Sequence, residues 1–464
     1  MPTLLELTNY SHTDAKVFFE YNIDGGQYAT SIWYDGIDLN LLESEYGKEA
    51  IDKIIFHIAA FEINKLCSLK PDQISFGPLS RFCTSAFKDL WIRIFKEVWG
   101  QWRYENDLPN YAGPEFLNSA IETSVISARA GEVGILSFCG GGKDSLVVAK
   151  LLENAGEIYS SLAYSHSIYG EPLKQHKLID DLLDTCSPVR RHKQWVIEDF
   201  TTSPVLNLNN PNHIKTLCAA ETPASIFAAL PLVLAFGYSY LVLGHEKSAD
   251  YGNMVWNSTG ETINHQWGKS FEAELLLHSY IKENVIDNVQ IGSILKPIHD
   301  TLIFELLQPY EESVLHTHSC NINKPWCKRC AKCAYVWINY MAFLPVDLVN
   351  QIFGENLLEV EENQIWFRQM LGLDLHTPFE CVGQPEEAQI AFELSRLKGI
   401  KGKAMDMYIS NFQAIDFAPL INRYLAVDEQ HSALPRELLK KPIARMHEVA
   451  TRAKVDLTAR LVNR

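Results

Sequence analysis

The chain has 464 residues, ten cysteines and a formal net charge of −16, a length that leaves room for roughly three domains with full cores. The acidic balance argues against an extended basic surface for nucleic acid, and no run approaches the roughly 18 to 20 apolar residues of a membrane span. With no basic and apolar leader pattern at the start, a cytoplasmic setting is expected, where cysteines are reduced thiols or metal ligands and not a disulfide scaffold.

In the first 40 residues, stretches 17–21 and 28–34 alternate apolar and polar side chains around Asp24-Gly25-Gly26, the pattern of a β-hairpin. From 41 to 69 and from 80 to 104 the period becomes helical. Trp91, Phe95, Trp99 and Trp102 recur three or four residues apart, which fits one buried helical face better than an aromatic binding box. Residues 1–125 thus read as a separate small α+β domain.

From Gly131 to about Gly244, strand and helix patterns alternate as in a doubly wound parallel sheet. Strands are expected near 134–138, 158–164, 193–197 and 239–243, with helices at 144–155, 172–185 and 216–236. The first strand runs into Gly140-Gly141-Gly142-Lys143-Asp144-Ser145. Glycines without Cβ atoms let a ligand approach the backbone, and the free N–H groups of the helix that opens here attract an anion, so the stretch reads as a phosphate site. It is not a Walker loop, because Ser137 stands where the first glycine belongs and Asp144 follows the lysine; it also lacks the G-x-G-x-x-G fingerprint. Ligands of such sheets bind beyond the strand C-termini at the topological switch point, where this loop is expected. The second strand ends in Ala163-Tyr164-Ser165-His166, a candidate adenosine-binding edge, although His166 reads equally well as an ordinary polar strand end.

The fourth strand leads into Gly244-His245-Glu246-Lys247-Ser248-Ala249-Asp250, followed at 264–274 by Asn264-His265-Gln266-Trp267-Gly268-Lys269-Ser270-Phe271-Glu272-Ala273-Glu274. His245, Glu246, Asp250, His265, Lys269 and Glu272 offer proton donors, proton acceptors and magnesium ligands. Any one of them also suits a polar surface; their density in two loops after sheet strands favours function.

Cys320, Cys327, Cys330 and Cys333 follow with the spacing C-x6-C-x2-C-x2-C, which fits one tetrahedral thiolate site. Zinc is the preferred ion and an iron–sulfur cluster its competitor. With all four sulfurs engaged, the metal reads as structural, pinning this segment to the catalytic domain. The other cysteines, Cys67, Cys83, Cys139, Cys186, Cys218 and Cys381, are scattered and mostly read as small buried hydrophobes; Cys139, beside the phosphate loop, is the exception worth testing. Beyond Tyr335 the pattern is mainly helical. Pro378-Phe379-Glu380-Cys381-Val382-Gly383 interrupts it, as a buried turn or a ligand-facing loop would, and the basic residues of 431–464 read as a solvated face. The expected organisation is therefore 1–125, an ATP-binding catalytic domain over 126–318, and a cysteine–metal segment with a helical region over 319–464.

The glycine loop resembles the PP-loop of the ATP pyrophosphatase superfamily, usually Ser-Gly-Gly-x-Asp-Ser, with Gly140 where that family has serine. The resemblance implies an α/β sheet of the PP-loop/HUP type that binds ATP through Gly140, Gly141, Gly142, Lys143, Asp144, Ser145 and His166. With the four cysteines added, the chain is also similar to the deazaguanine-nitrile synthases, which activate a carboxylate with ATP.

A broader resemblance is to the MurL family of UDP-N-acetylmuramoyl-L-alanyl-L-glutamate epimerases. It is carried by Val98-Trp99-Gly100 through Asn106-Asp107-Leu108-Pro109, Gly140 to Ser145, Glu246-Lys247-Ser248-Ala249 with Gly252-Asn253, Asn264-His265-Gln266 with Lys269-Ser270 and Glu274, the cysteine segment, and Pro378 to Gly383 with Glu386-Glu387. These stretches span most of residues 95 to 390 in order, while the first 90 and last 60 residues match loosely. The resemblance implies a cytoplasmic isomerase of peptidoglycan precursor synthesis, with a UDP-sugar dipeptide as its small-molecule substrate. The terminal L-glutamate α-carboxylate would attack the α-phosphorus of ATP, and the acyl adenylate would be inverted at Cα and hydrolysed to the D-glutamyl product and AMP. His245, Asp250, His265 and Lys269 are the candidates for proton transfer, Asp144 and Glu246 for Mg²⁺, and the four cysteines for a structural Zn²⁺. Adenylation of a deazaguanine carboxylate, tRNA modification (which the acidic balance opposes) and a non-catalytic ATP-sensing partner protein stay open as alternatives.

Overall fold

Three strands, β1 (Leu4–His12), β2 (Lys16–Ile23) and β3 (Gly26–Tyr34), pair antiparallel in chain order. The turn between β2 and β3 passes through Asp24 at φ 49° and Gly25 at φ 85°, the two successive left-handed residues that match a tight turn to the strand twist. The computed structural model describes residues 3–120, 124–201 and 214–463. Within these, the chain continues through β4 (Gln73–Ser75), β5 (Glu115–Phe116), β6 (Ile135–Cys139), β7 (Tyr159–His166), β8 (Arg190–Glu198), β9 (Tyr240–Leu243), β10 (Met254–Trp256), β11 (Glu261–Ile263) and β12 (Gln290–Ser293).

Among the described residues ten strands form one mostly parallel sheet in the order β12-β9-β6-β7-β8-β3-β2-β1-β4-β5, and β10 and β11 pair separately. From β12 to β8 every neighbour is parallel, and the four expected strands fall on β6 to β9. β12 is a further parallel strand whose four residues were too short to stand out in the sequence. The N-terminal segment does not form its own sheet: β3 pairs antiparallel with β8, and Trp33 lies opposite Trp195 with the rings stacked at 6.0 Å. The physical reason is that β8 runs for nine residues, beyond both ends of the expected 193–197, and exposes an edge long enough to template another strand.

Helices cover both faces. In β6, Ile135 and Cys139 join one core with the helices Lys143–Ala155 and Ala331–Phe343. Leu136 joins the other core, with Lys48–Asn64 and Ser85–Glu97, as the two-residue period of a strand requires. Trp91, Phe95, Trp99 and Trp102 are all buried in this second core, and burying a side chain such as Phe95 contributes about 1.5–3 kcal/mol. The helix expected over 216–236 is two helices, Glu221–Ala228 and Leu230–Phe236, because Pro231 has no N–H to offer the preceding turn. No helix among the described residues is long and apolar enough to cross a membrane.

β6 lies between β7 and β9, so the chain leaves it in opposite directions and the switch point falls at its C-terminal end. The loops after β6 and β9 meet there: a Cβ on Gly244 would lie 3.4 Å from the Asp144 Cβ.

Candidate functional site

Gly142 is the N-cap of the helix Lys143–Ala155 and supplies no side-chain cap, so first-turn N–H groups are left for an anion. The Gly140 N–H donates to Ser145 Oγ at 3.1 Å, which ties the loop to the helix it opens. The three glycines are not equivalent. A Cβ on Gly141, whose φ is 85°, would lie 2.0 Å from the His318 ring, and one on Gly142 would lie 2.8 Å from Ser319 Oγ. These two glycines make room for the chain that leads into the cysteine segment, and the His318 N–H donates to the Gly141 carbonyl at 2.8 Å. A Cβ on Gly140 would meet nothing within 4 Å, and it is Gly140 that lines a cleft of about 560 Å³.

Lys143 turns away from that cleft. Its ammonium is buried, donates to Asp144 Oδ1 at 2.6 Å and to Asp300, and lies 5.0 Å from the Phe304 ring centroid. Burial opposes its charge, but Asp144, Asp300 and Glu246 outweigh burial and raise its pKa. Lys143 therefore fixes the carboxylates of the loop. Lys324, from the cysteine segment, lines the cleft instead, with its ammonium 5.6 Å from the Tyr169 ring centroid.

His265 and Lys269 also line the cleft, together with Glu380 and Cys381. The Lys269 ammonium donates to Cys381 Sγ at 2.9 Å, and a ring nitrogen of His265 lies within 4.8 Å of the same sulfur while Nδ1 lies 2.5 Å from Gln101 Oε1. Burial alone would raise the Cys381 pKa; the Lys269 charge and the neighbouring His265 ring outweigh it and leave the thiol below its ordinary value. For His265, burial is overcome by the Cys381 sulfur and Glu380, which raise its pKa. Lys269 is likewise held charged by Cys381, Glu246 and Asp144 against burial. Glu246 is buried and acts electrostatically on both Lys143 and Lys269, so the two carboxylates expected to organise Mg²⁺ lie by the same pair of lysines. Their oxygens are the donor type that Mg²⁺ prefers.

The remaining expected residues are placed differently. His245 is buried near Lys269 and Lys296, and burial drives its pKa well down. Asp250 does not line the cleft: it accepts from the Phe271 N–H at 2.8 Å and from Lys296 at 3.1 Å, and its other oxygen lies 2.5 Å from His431 Nε2. Lys296, fully buried, also donates to the carbonyls of Glu246 at 2.8 Å and Lys269 at 2.7 Å, holding three loop segments with one ammonium. His166 accepts from the Ile168 N–H at 3.1 Å and lies 3.3 Å from the Lys65 ammonium. It lines a cavity of about 20 Å³ that shares Tyr164 and Glu221 with the cleft. Glu272 pairs with Arg93 and accepts from Trp267 Nε1 at 3.1 Å.

Cys320, Cys327, Cys330 and Cys333 bring four sulfurs within 4.8 Å of one another. The pairs Cys320–Cys330 and Cys327–Cys333 are each 3.9 Å apart, close to the edge of about 3.8 Å that a tetrahedron with Zn–S bonds of about 2.3 Å has. Backbone N–H groups of Ile322, Asn323 and Cys327 donate to the Cys320 sulfur at 3.3–3.4 Å, as thiolate ligands require. The set fits one metal ion, compatible with zinc. From this knuckle His318 and Ser319 pack on the glycine loop, Asn321 donates to Glu380 Oε1 at 2.8 Å, and Lys332 donates to the Cys381 carbonyl.

The expectations for Cys139 and Cys381 are reversed. Cys139 is buried and its pKa is pushed up to about 12, whereas Cys381, grouped with the scattered hydrophobic cysteines, sits in the cleft against the Lys269 ammonium. The only sequence signal for Cys381 is its place in the Pro378–Gly383 interruption.

Fold and site define an α/β protein with a glycine loop at a sheet switch point and a second wall of titratable side chains in the same cleft. Two family models match: the MurL N-terminal domain over residues 222–294 and the MurL C-terminal domain over 315–408. Three relatives carry the name UDP-N-acetyl-alpha-D-muramoyl-L-alanyl-L-glutamate epimerase. The one from Micromonospora sp. is 30% identical over 65% of this chain and 66% of its own length. That from Salinispora tropica is 30% identical over 56% and 55%, and that from Xanthomonas oryzae pv. oryzae 26% over 72% and 74%. The chain thus spans just under two thirds of the first relative and just over half of the second. No solved structure matches. Together these matches support the MurL family for this chain.

Proposed function

We propose that this protein is an ATP-dependent epimerase that adenylates the terminal L-glutamate α-carboxylate of UDP-N-acetylmuramoyl-L-alanyl-L-glutamate, inverts its α-carbon and releases AMP and pyrophosphate in peptidoglycan precursor synthesis. The observation that carries this reading is the meeting, in one cleft of about 560 Å³, of the glycine loop at Gly140 with the His265–Lys269 wall. The names of the three relatives support the substrate.

The chemistry calls for both walls. A carboxylate is already anionic, so removing the neighbouring Cα proton would place a second charge on the same group. The mixed anhydride removes the first charge and makes the carbon far more acidic. The first-turn N–H groups of the helix that Gly142 opens and the Lys324 ammonium stabilise charge on the departing pyrophosphate. Asp144 and Glu246 are the residues that would hold Mg²⁺, which offsets phosphate charge. Lys143 holds Asp144 by a hydrogen bond and acts on Glu246 through charge alone. On the other wall, the group built around His265 and Lys269 supports the proton transfers at the α-carbon.

The test is incubation with ATP, Mg²⁺ and the L-glutamyl substrate, with AMP measured and the released glutamate resolved by chirality after hydrolysis. AMP together with D-glutamate is expected. Failure to form either, with AMP formed instead from a deazaguanine carboxylate, would reject the epimerase in favour of that chemistry. ATP hydrolysis without any carboxylate dependence would reject both.

A further inference from the structure

Cys381 is a cleft residue that the reading above leaves without a task, and its surroundings are those of an ionised sulfur. Lys269 donates to Sγ at 2.9 Å, and a ring nitrogen of His265 lies within 4.8 Å of the same atom. Its own N–H is fixed by Glu380 Oε1 at 2.7 Å, and that carboxylate is held in turn by Asn321 at 2.8 Å. An ammonium donating to the sulfur favours thiolate over thiol. Lys269 is held as an ammonium, and His265 Nδ1 lies 2.5 Å from Gln101 Oε1, so the Cys381 sulfur is an electron pair with a cation placed directly on it. His265, Glu380 and Cys381 also place three ligand atoms within 4.8 Å. A metal ion there would lie against the Lys269 ammonium, so repulsion disfavours that use.

We infer that Cys381 is one of the two acid–base groups that invert the α-carbon, with Lys269 and His265 as the residues that hold its sulfur ready. This rests on the epimerase reading. The Cys381 thiolate takes the Cα proton of the adenylated glutamyl residue, forming S–H as C–H breaks, and the C–H electron pair passes into the acyl carbonyl to give an enolate. A proton from water, delivered on the opposite face, re-forms C–H with inverted configuration, and the Cys381 thiol releases its proton to water to close the cycle.

The experiment compares the metal-replete full-length protein with Cys381→Ala and Cys381→Ser. Readouts are AMP release, chiral analysis and deuterium uptake at Cα in D₂O. Loss of a general base is expected to lower inversion and deuterium uptake by about 10²- to 10⁴-fold while AMP release persists, because the unepimerised adenylate still hydrolyses. Inversion at the wild-type rate in Cys381→Ala overturns the assignment. So does a parallel loss of AMP release and inversion in a variant whose melting temperature is unchanged, since that would mark a residue of adenylation. Absence of AMP from the wild-type protein with the L-glutamyl substrate rejects the epimerase reading itself, and this inference with it.

Discussion

Two walls meet in the cleft, and they are built on different principles. The glycine wall is local: β6, the three glycines and the helix Lys143–Ala155 follow one another without interruption. The wall of His265, Lys269, Glu380 and Cys381 joins segments more than a hundred positions apart, and it is held by contacts that are themselves distant. Lys296 ties the carbonyls of Glu246 and Lys269, while Asn321 and Lys332 reach from the cysteine knuckle to Glu380 and Cys381. The two walls share one brace, because the same knuckle seats His318 and Ser319 against Gly141 and Gly142. A phosphate cradle can be made from backbone and is therefore written as a motif. A poised thiolate needs cations brought to it, and only the fold can do that.

The largest effect should come from breaking the glycine wall where it bears on the brace. Gly141→Ala places a Cβ 2.0 Å from the His318 ring at a residue with φ 85°, and AMP release should fall by at least about 100-fold with a clear drop in melting temperature. Gly140→Ala meets nothing within 4 Å; its melting temperature should change by no more than about 1–2 °C, while the KM for ATP rises. Equal damage from both would contradict the division of labour among the three glycines.

Removing the metal comes next and should harm both walls together. Stripping with a strong chelator, or Cys333→Ser, is expected to reduce AMP release and inversion in parallel, and metal analysis of the intact protein should give about one zinc per chain. Loss of one activity alone would show that the brace serves a single wall. Iron with sulfide would replace zinc by a cluster.

A smaller effect is expected from Lys269→Met. Removing the ammonium 2.9 Å from the Cys381 sulfur should raise the pH midpoint for alkylation of Cys381 by about 1 unit. An unmoved midpoint would leave His265 as the main partner of the sulfur.

The smallest is a pH effect on stability at the brace. Burial lowers the His318 pKa to about 4 from 6.5, so the folded protein binds this proton less readily than the unfolded chain. The contribution is full above pH 6.5 and is lost as the pH falls from there towards about 4, by up to roughly 3 kcal/mol. Denaturant melts at pH 7 and 5 should show the loss, and His318→Gln should reduce it.

The reach of the sequence follows from the range of the interactions. Strands β6 to β9, the buried face of Trp91, Phe95, Trp99 and Trp102, and the glycine turn were legible because each rests on spacing within a few residues. The joining of β3 to β8 was not, since nothing in residues 1–40 names a partner strand 160 positions away. Lys143 could be recognised as part of a loop, but its turn towards Asp300 depends on a helix that arrives much later in the chain. Asp250 looked like a proton acceptor and is the anchor of Phe271, Lys296 and His431.

By itself, the sequence determined an α/β chain with a glycine turn between strand and helix, a four-cysteine set spaced to hold one metal ion and two loops dense in acids and bases. These depend on backbone geometry, ligand spacing and composition, which are local properties. Only the tertiary structure decided which charges are paired away and which are presented to the cleft. Ionisation depends on desolvation and on the nearest opposite charge, and both are fixed by residues far away in sequence. That is why Cys139 is buried as a thiol and Cys381 is poised between Lys269 and His265.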